Sequence, residues 1–296
     1  MMLDQQLLQV PVLDHHSVDL DGVNRVTYLL EQSFRYDYSG PVRQLSQRLV
    51  VVPPARHGNQ HLRAHRLEVD GAVAQRATRR DTRGNTVVRL RAERVERSVE
   101  FRVAALLERV HRDGPVLLPG DALTDPRLLR ATRRTAPDMR LRELALELGC
   151  GDATPPELAG RICETVHSAL TYEWGVTSVH TTAADALAGG RGVCQDSAHI
   201  MLALCHLLDL PARYVSGHLL GQGGTHAWVE VVLPHGAEAV AMPFDPCNGV
   251  PASSARYLTV ATGRDYGDVA PTSGSYVGKS HGRLTTNRRV VVLAAA

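Results

Sequence analysis

Apolar residues alternate with polar ones from Asn24 to about Val110, and a different rhythm follows. The runs VTYLLEQSFRYDYS, RQLSQRLVVVP, HLRAHRLEVDG, TVVRLRAERVER and SVEFRVAALLERV are short and rich in β-branched and aromatic residues. Ser39-Gly40-Pro41, Pro53-Pro54 and Arg83-Gly84-Asn85 punctuate them. A two-residue period with turn chemistry between runs predicts an antiparallel β domain. HRDGPVLLPGDALTDP (residues 111–126) concentrates glycine and proline, so the expected division is a β-rich domain over 1–115 and a second domain over 116–296. Past it, residues 127–148 and 156–170 carry helical spacing, the second opened by Thr154-Pro155-Pro156-Glu157. Another helix with an amphipathic pattern is predicted from Cys194 along CQDSAHIMLALCHLL. Strand-like runs then return in ARYVSGHLL (212–220), HAWVEVVL (226–233), AVAMPFD (239–245), ARYLTVA (255–261) and RRVVVLA (288–294). Helices first and strands afterwards predict an α+β second half.

Composition changes this picture little. The 296 residues are 44% hydrophobic and 22% charged, a soluble globular balance. The formal net charge of +2 gives no electrostatic reason to expect a nucleic-acid or anionic-membrane partner. Arginine supplies nearly all the positive charge, Lys279 being the one lysine. The arginine-dense stretch over 125–148 mixes its charges with Glu143 and Glu147 and reads as a solvated helix face rather than a phosphate site. MMLDQQLLQVPVLDHH has acidic and polar residues where a signal peptide needs an apolar core, and no window reaches the roughly 20 apolar residues of a membrane span. The expected location is the cytoplasm. Five cysteines, at 150, 163, 194, 205 and 247, form no CxxC pair and are expected to be free thiols.

One of them sits where chemistry is possible. Cys194 follows GGRGV and opens a helix, where unsatisfied backbone N–H groups and the positive dipole end favour a thiolate and can hold an oxyanion. Cysteine acyl transfer also needs a base and a group that orients it. His226 opens a strand pattern after GQGG (221–224), and Asp245 ends the next one in FDPCNG. Adjacent antiparallel strands would set the two side by side, with the cysteine helix across the sheet.

RGVCQDSAHIMLALCHLLDLPARYVSG, then THAWVEV and FDPCNG, resembles the core of bacterial transglutaminase-like cysteine proteases and amidases, which have a papain-like α+β fold. The resemblance extends upstream to about residue 160 through LTYEWGVTSVHTTAADALAGG and downstream to GRDYGDVAPTSGSYVG. The first half, with FRYDYSGPV, RLVVVPP and DTRGN, is similar to the N-terminal domain that precedes this core in many such proteins. It implies a catalytic triad of Cys194, His226 and Asp245 and a thioester intermediate. Hydrolysis of an amide or peptide bond is the first expectation; transfer to an amine, or a non-catalytic binding module on the same fold, are the alternatives. Substrates would be a peptide, a protein or a small amide, with no cofactor. Three positions depart from the family pattern: Ser197 for a frequent aromatic, Cys247 for a frequent threonine, and Pro243 in the strand before Asp245.

The remaining candidates read as structure. Cys205, Cys150 and Cys163 lie in helical patterns and are expected in the core, and Cys247 in loop packing. Asp196 is expected to support the helix N-terminus, while Gln195 could be a polar part of the site and Tyr172 and Trp174 could line a cleft. His199 and His206 share a helix face expected to be half-solvated. His15, His16, His57, His61 and His65 have no carboxylate or cysteine at suggestive spacing, so no metal is expected.

Overall fold

A computed structural model describes residues 12–296. The reading of the extreme N-terminus concerns mostly residues 1–11, which lie outside the described residues. The fold is α+β. Two antiparallel sheets, a set of helices with a short parallel strand pair (Thr171–Tyr172 and Arg191–Gly192) and a third antiparallel sheet make it up.

Strands β1 (Arg25–Tyr38), β2 (Val42–Val52), β3 (Gln60–Asp70), β4 (Ala74–Arg80), β5 (Thr86–Val95) and β6 (Ser98–Val110) form as the alternation predicts. They divide between two sheets that face each other. Phe34, Leu49, Val88, Leu90, Phe101 and Val103 fill the space between them. The inner face of β1 serves two partners. Phe34 and Tyr38 pack in this sandwich, whereas Val26, Tyr28 and Leu30 pack toward Leu220, Leu258 and Val260 of the second half.

The expected division at residue 115/116 does not hold for the last strands. β12 (Thr272–Val277) pairs with β2, and β13 (Gly282–Ala295) pairs with β1 along its whole length. The sheet orders are β13-β1-β6-β3 and β12-β2-β5-β4, apart from a two-residue strand at the edge of β3. The run RRVVVLA is therefore a strand, as predicted, but of the first sheet rather than of the α+β half. Local alternation reports that one face is buried and carries no information on which strand lies alongside.

Between these ends lie β7 (Val116–Pro119), α1 (Pro126–Leu129), α2 (Met139–Gly149), α3 (Pro155–Ala169), α4 (Ala183–Gly189), α5 (Cys194–Leu207), β8 (Ala212–Leu219), β9 (His226–His235), β10 (Glu238–Asp245), β11 (Tyr257–Gly263) and α6 (Tyr266–Val269). The predicted helix over 127–148 is two helices. Pro137 disfavours helical backbone at Ala136, and Asp138 caps α2 by accepting from the Leu141 N–H at 2.9 Å. The intervening segment is tied down, with Thr132 Oγ1 donating to Asp265 at 2.6 Å.

The third sheet runs β10-β9-β8-β11, with β7 on the far edge of β10. Helix α5 lies against it, and α2, α3 and α4 cover α5. Every residue from Asp196 to Cys205 is buried, so α5 is enclosed on all sides rather than amphipathic with one solvated face. His199 is accordingly buried, not half-solvated, and accepts at Nε2 from the Tyr266 N–H. Burial pushes its pKa down to about 4, so it is neutral there. Cys163 and Cys205 are core residues, but Cys150 is exposed because α2 ends at Gly149. Among the described residues no helix is long and apolar enough to cross a membrane.

The free edge of β11 faces the sandwich, where side-chain amides stand in for a neighbouring strand. Gln60 donates to Thr259 O and accepts from Thr259 N at 2.8 and 2.9 Å, and Asn85 does the same at Thr262 at the same distances. An open sheet edge is a pairing hazard, and here it is closed within the chain.

Candidate active site

Helix α5 begins at Cys194 because the chain before it is held by α5 itself. Asp196 turns back, its Oδ2 accepting from the Val193 N–H at 2.8 Å and the Thr177 hydroxyl at 2.7 Å. A Cβ on Gly192 would fall 2.8 Å from that carboxylate, which accounts for the glycine before Val193-Cys194. Asp196 is buried, and burial raises its pKa against those two hydrogen bonds. It therefore holds the turn that presents Cys194. Cys194, unlike most of its helix, is partly exposed.

His226 starts β9 opposite Gly217 of β8. A Cβ at Gly217 would lie 2.1 Å from Leu258 O and 2.5 Å from the Trp228 ring, so only glycine allows β11 and Trp228 to close up there. Trp228 in turn stacks beside the His226 ring, at 6.3 Å between centroids. Asp245 ends β10, completely buried, with its Oδ2 2.6 Å from His226 Nε2.

Five donors converge on the Asp245 carboxylate. Besides His226, Asn248 Nδ2 at 2.6 Å and the Tyr257 hydroxyl at 2.8 Å donate to Oδ2, and the N–H groups of Cys247 and Asn248 donate to Oδ1. Burial works to raise the Asp245 pKa, and these bonds outweigh it and hold it below the usual value. For His226, burial works to lower the pKa, but Asp245 and Cys194 prevail and raise it to about 9. The imidazole thus carries its proton at neutral pH, with Nε2 committed to Asp245 and Nδ1 left for the cysteine.

Cys194 and His226 share a cavity of about 750 Å³ with Tyr172, Trp174, Gln195 and Cys247. Trp174 is 84% exposed at its rim, the kind of apolar surface that a bound chain would cover. Tyr172 and Trp174 hence do line a cleft, and Cys247 faces the same space rather than only packing a loop.

Asn248 and Tyr257 were missed as site residues. Asn248 lies within the FDPCNG motif, three residues after Asp245, and was legible there as its one side-chain amide. Tyr257 gave no signal, since its contact with Asp245 depends on β11 crossing behind the site. Histidines thought to lack carboxylates also find them at long range. His61 Nε2 is 2.7 Å from Asp113, and His57 Nε2 is 2.6 Å from Glu230, whose other oxygen holds Arg213 at 2.6 Å. Asp14, His15 and His16 gather their ligand atoms within 4.8 Å of one another, a mainly exposed cluster outside the cavity lining.

Residues 142–246 match the family model described as the transglutaminase-like superfamily, and residues 28–108 match the bacterial transglutaminase-like N-terminal region. The chain joins that N-terminal region to a transglutaminase-like core. Cys194, His226 and Asp245 all fall within the stretch matched as this core. An uncharacterized protein of Mycobacterium leprae is 39% identical over 122 residues, covering 38% of this chain and 42% of that protein, so the match spans under half of that relative. An uncharacterized protein of Mycobacterium tuberculosis is 27% identical over 87% of this chain and 89% of its own length. A crystal structure of a proposed cysteine protease from Cytophaga hutchinsonii has the same fold, with a TM-score of 0.74, 22% identity and 92% of each chain covered. The transglutaminase-like core and its N-terminal region are thus found together along one fold.

Proposed function

We propose that this protein is a cysteine hydrolase of amide or peptide bonds, with Cys194 as nucleophile, His226 as acid and base, and Asp245 as the group that orients the imidazole. The observation that carries the reading is His226 held at Nε2 by a fully buried, five-fold hydrogen-bonded Asp245 while its ring faces the cavity containing Cys194. With His226 Nδ1 already holding the proton that came from the cysteine, Sγ attacks the carbonyl carbon as the thiolate of a Cys194–His226 ion pair. The resulting oxyanion is held by the Cys194 N–H, which has no intrahelical acceptor at the first position of α5. Collapse breaks the C–N bond, His226 returns its proton to the leaving amine, and a thioester remains. Water then attacks, losing a proton to His226. The carboxylic acid departs and the Cys194–His226 ion pair is restored.

Transfer of the acyl group to an amine uses the same thioester and differs only in what attacks it. The test is turnover of peptides and small amides followed by mass spectrometry, with and without added primary amine. Free acid as product supports hydrolysis, and a new amide identifies the transferase. Cys194→Ala and His226→Ala are expected to abolish turnover, and Asp245→Asn to retain a small part of it, because losing the orienting group leaves the nucleophile in place. Full turnover by Cys194→Ala overturns the reading. If no substrate turns over and iodoacetamide labels Cys194 no faster in wild type than in His226→Ala, the fold serves binding instead.

A further inference from the structure

Arg288 belongs to β13, in the sheet of the sandwich, yet it lines the cavity of Cys194 and His226. In the β13–β1 register it lies opposite Gln32, on the inner face of the sheet. Its neighbours Asn287 and Arg289 are exposed, and Arg289 pairs with Glu31 at 3.6 Å. The Arg288 guanidinium rests over the Phe34 ring, 5.4 Å from its centroid, which fixes the long side chain in place.

Among the described residues no carboxylate lies within 4.0 Å of the Arg288 guanidinium, and its buried Nε has no hydrogen-bond partner. Arg213, Arg83 and Arg134, also partly buried, are paired with Glu230, Asp268 and Asp265, and Arg48 and Arg109 donate to main-chain carbonyls. Arg161, outside this cavity, shares with Arg288 the lack of a carboxylate among the described residues. Burial lowers the Arg288 pKa, the mark of a charge partly removed from water. The cavity lining supplies no counter-charge either, since it contains Arg288 and His226 but no aspartate or glutamate. A half-buried guanidinium without a partner is costly to retain, and its planar fork matches a carboxylate.

We infer that Arg288 binds a carboxylate of the substrate, so that this cleft selects an acidic peptide and the sandwich supplies a specificity residue to the transglutaminase-like core. The carboxylate is that of an acidic side chain or of a chain terminus. The inference rests on the cavity being the substrate cleft, as proposed above. A charge-assisted bidentate pair is expected to be worth a factor of about 10 to 100 in selectivity.

The test labels Cys194 with bromoacetyl peptides, which report on recognition without requiring turnover. Alanine spacers of increasing length end in glutamic acid amide, in glutamine amide, or in a free or amidated alanine C-terminus. At one spacing a carboxylate reagent is expected to label wild type at least about ten-fold faster than its amide counterpart. The ratio should fall to about one in Arg288→Gln and survive in part in Arg288→Lys. The arm that shows it, side chain or terminus, identifies the source of the carboxylate. Ratios near one at every spacing in wild type, or a ratio unchanged in Arg288→Gln, overturn the inference. Should Arg288→Gln fail to fold, the wild-type ratio and its decrease with added salt decide the matter. A clear carboxylate preference in a protein that cleaves no amide retires the hydrolase reading and leaves this inference standing.

Discussion

The sandwich and the transglutaminase-like core are both built on antiparallel sheets, yet they bury their strands differently. In the sandwich, β5 alternates buried and exposed positions along most of its length. In the core, all seven residues of β11 and the first eight of β9 are buried. Antiparallel sheets usually leave one face to water. The core sheet does not, because helix α5 covers one side and the sandwich closes the edge and flank beyond β11. The difference teaches that the sandwich is a wall of the core rather than an appended module.

The largest expected effect comes from cutting the polar tie between the two regions. Glu230 in β9 is fully buried and joins His57 of the sandwich side to Arg213 of the core. Burial acts to raise its pKa, but Arg213 and then His57 lower it to about 2. Glu230→Ala leaves the Arg213 guanidinium and the His57 ring without their shared buried carboxylate and is expected to cost about 3–5 kcal/mol. Urea unfolding checks this. One cooperative transition at lower denaturant confirms a shared unit, and two separated transitions would break the comparison.

A smaller loss is expected from Gln60→Ala, which removes the side-chain amide that satisfies both backbone groups of Thr259 on the β11 edge. The cost should be about 1–3 kcal/mol, read as a shift in the same urea midpoint. A change within error would mean that water replaces the amide and that the edge is not sealed.

The effect that is smallest per step, spread over more than two pH units, separates the core from the sandwich by titration. The folded pKa of His226 is raised from 6.5 to about 9, so its contribution to stability is complete below about pH 6.5 and is lost as pH rises through about 9. The slope for one proton reaches at most about 1.4 kcal/mol per pH unit. Wild type is therefore expected to lose stability relative to His226→Gln across that window. A stability difference that does not change with pH would refute the raised pKa.

The local signals in the sequence were reliable where the information is local. Alternation located β1, β2 and β6, and the start of α5 at Cys194 was visible in RGVCQDS, where Gly192 and Asp196 make the turn. The elements named by the three motifs place Cys194 and His226 in one cavity with Asp245 buried behind the histidine, because β9 and β10 are consecutive strands and the helix packs across them. The reading of α5 as amphipathic failed for a physical reason. AHIMLALC is apolar almost throughout, and a period cannot be read from a segment with no polar face. His199 was misplaced with it, since a neutral histidine with a backbone donor at Nε2 is compatible with the interior.

What the sequence by itself determined is most of the strands, the helices α3 and α5, and the candidate residues Cys194, His226 and Asp245 in the order in which they occur, because each follows from spacing within a few residues or from neighbouring strands. Tertiary structure alone decided which sheet β13 completes, that Tyr257 steadies Asp245, that Glu230 bridges His57 and Arg213, and that Arg288 reaches the cleft. These partners are 12 to 173 residues apart where the contact is a hydrogen bond. Periodicity states which face of a segment is buried; what that face meets is set only when the chain closes on itself, and there a charge such as Arg288 acquires its role.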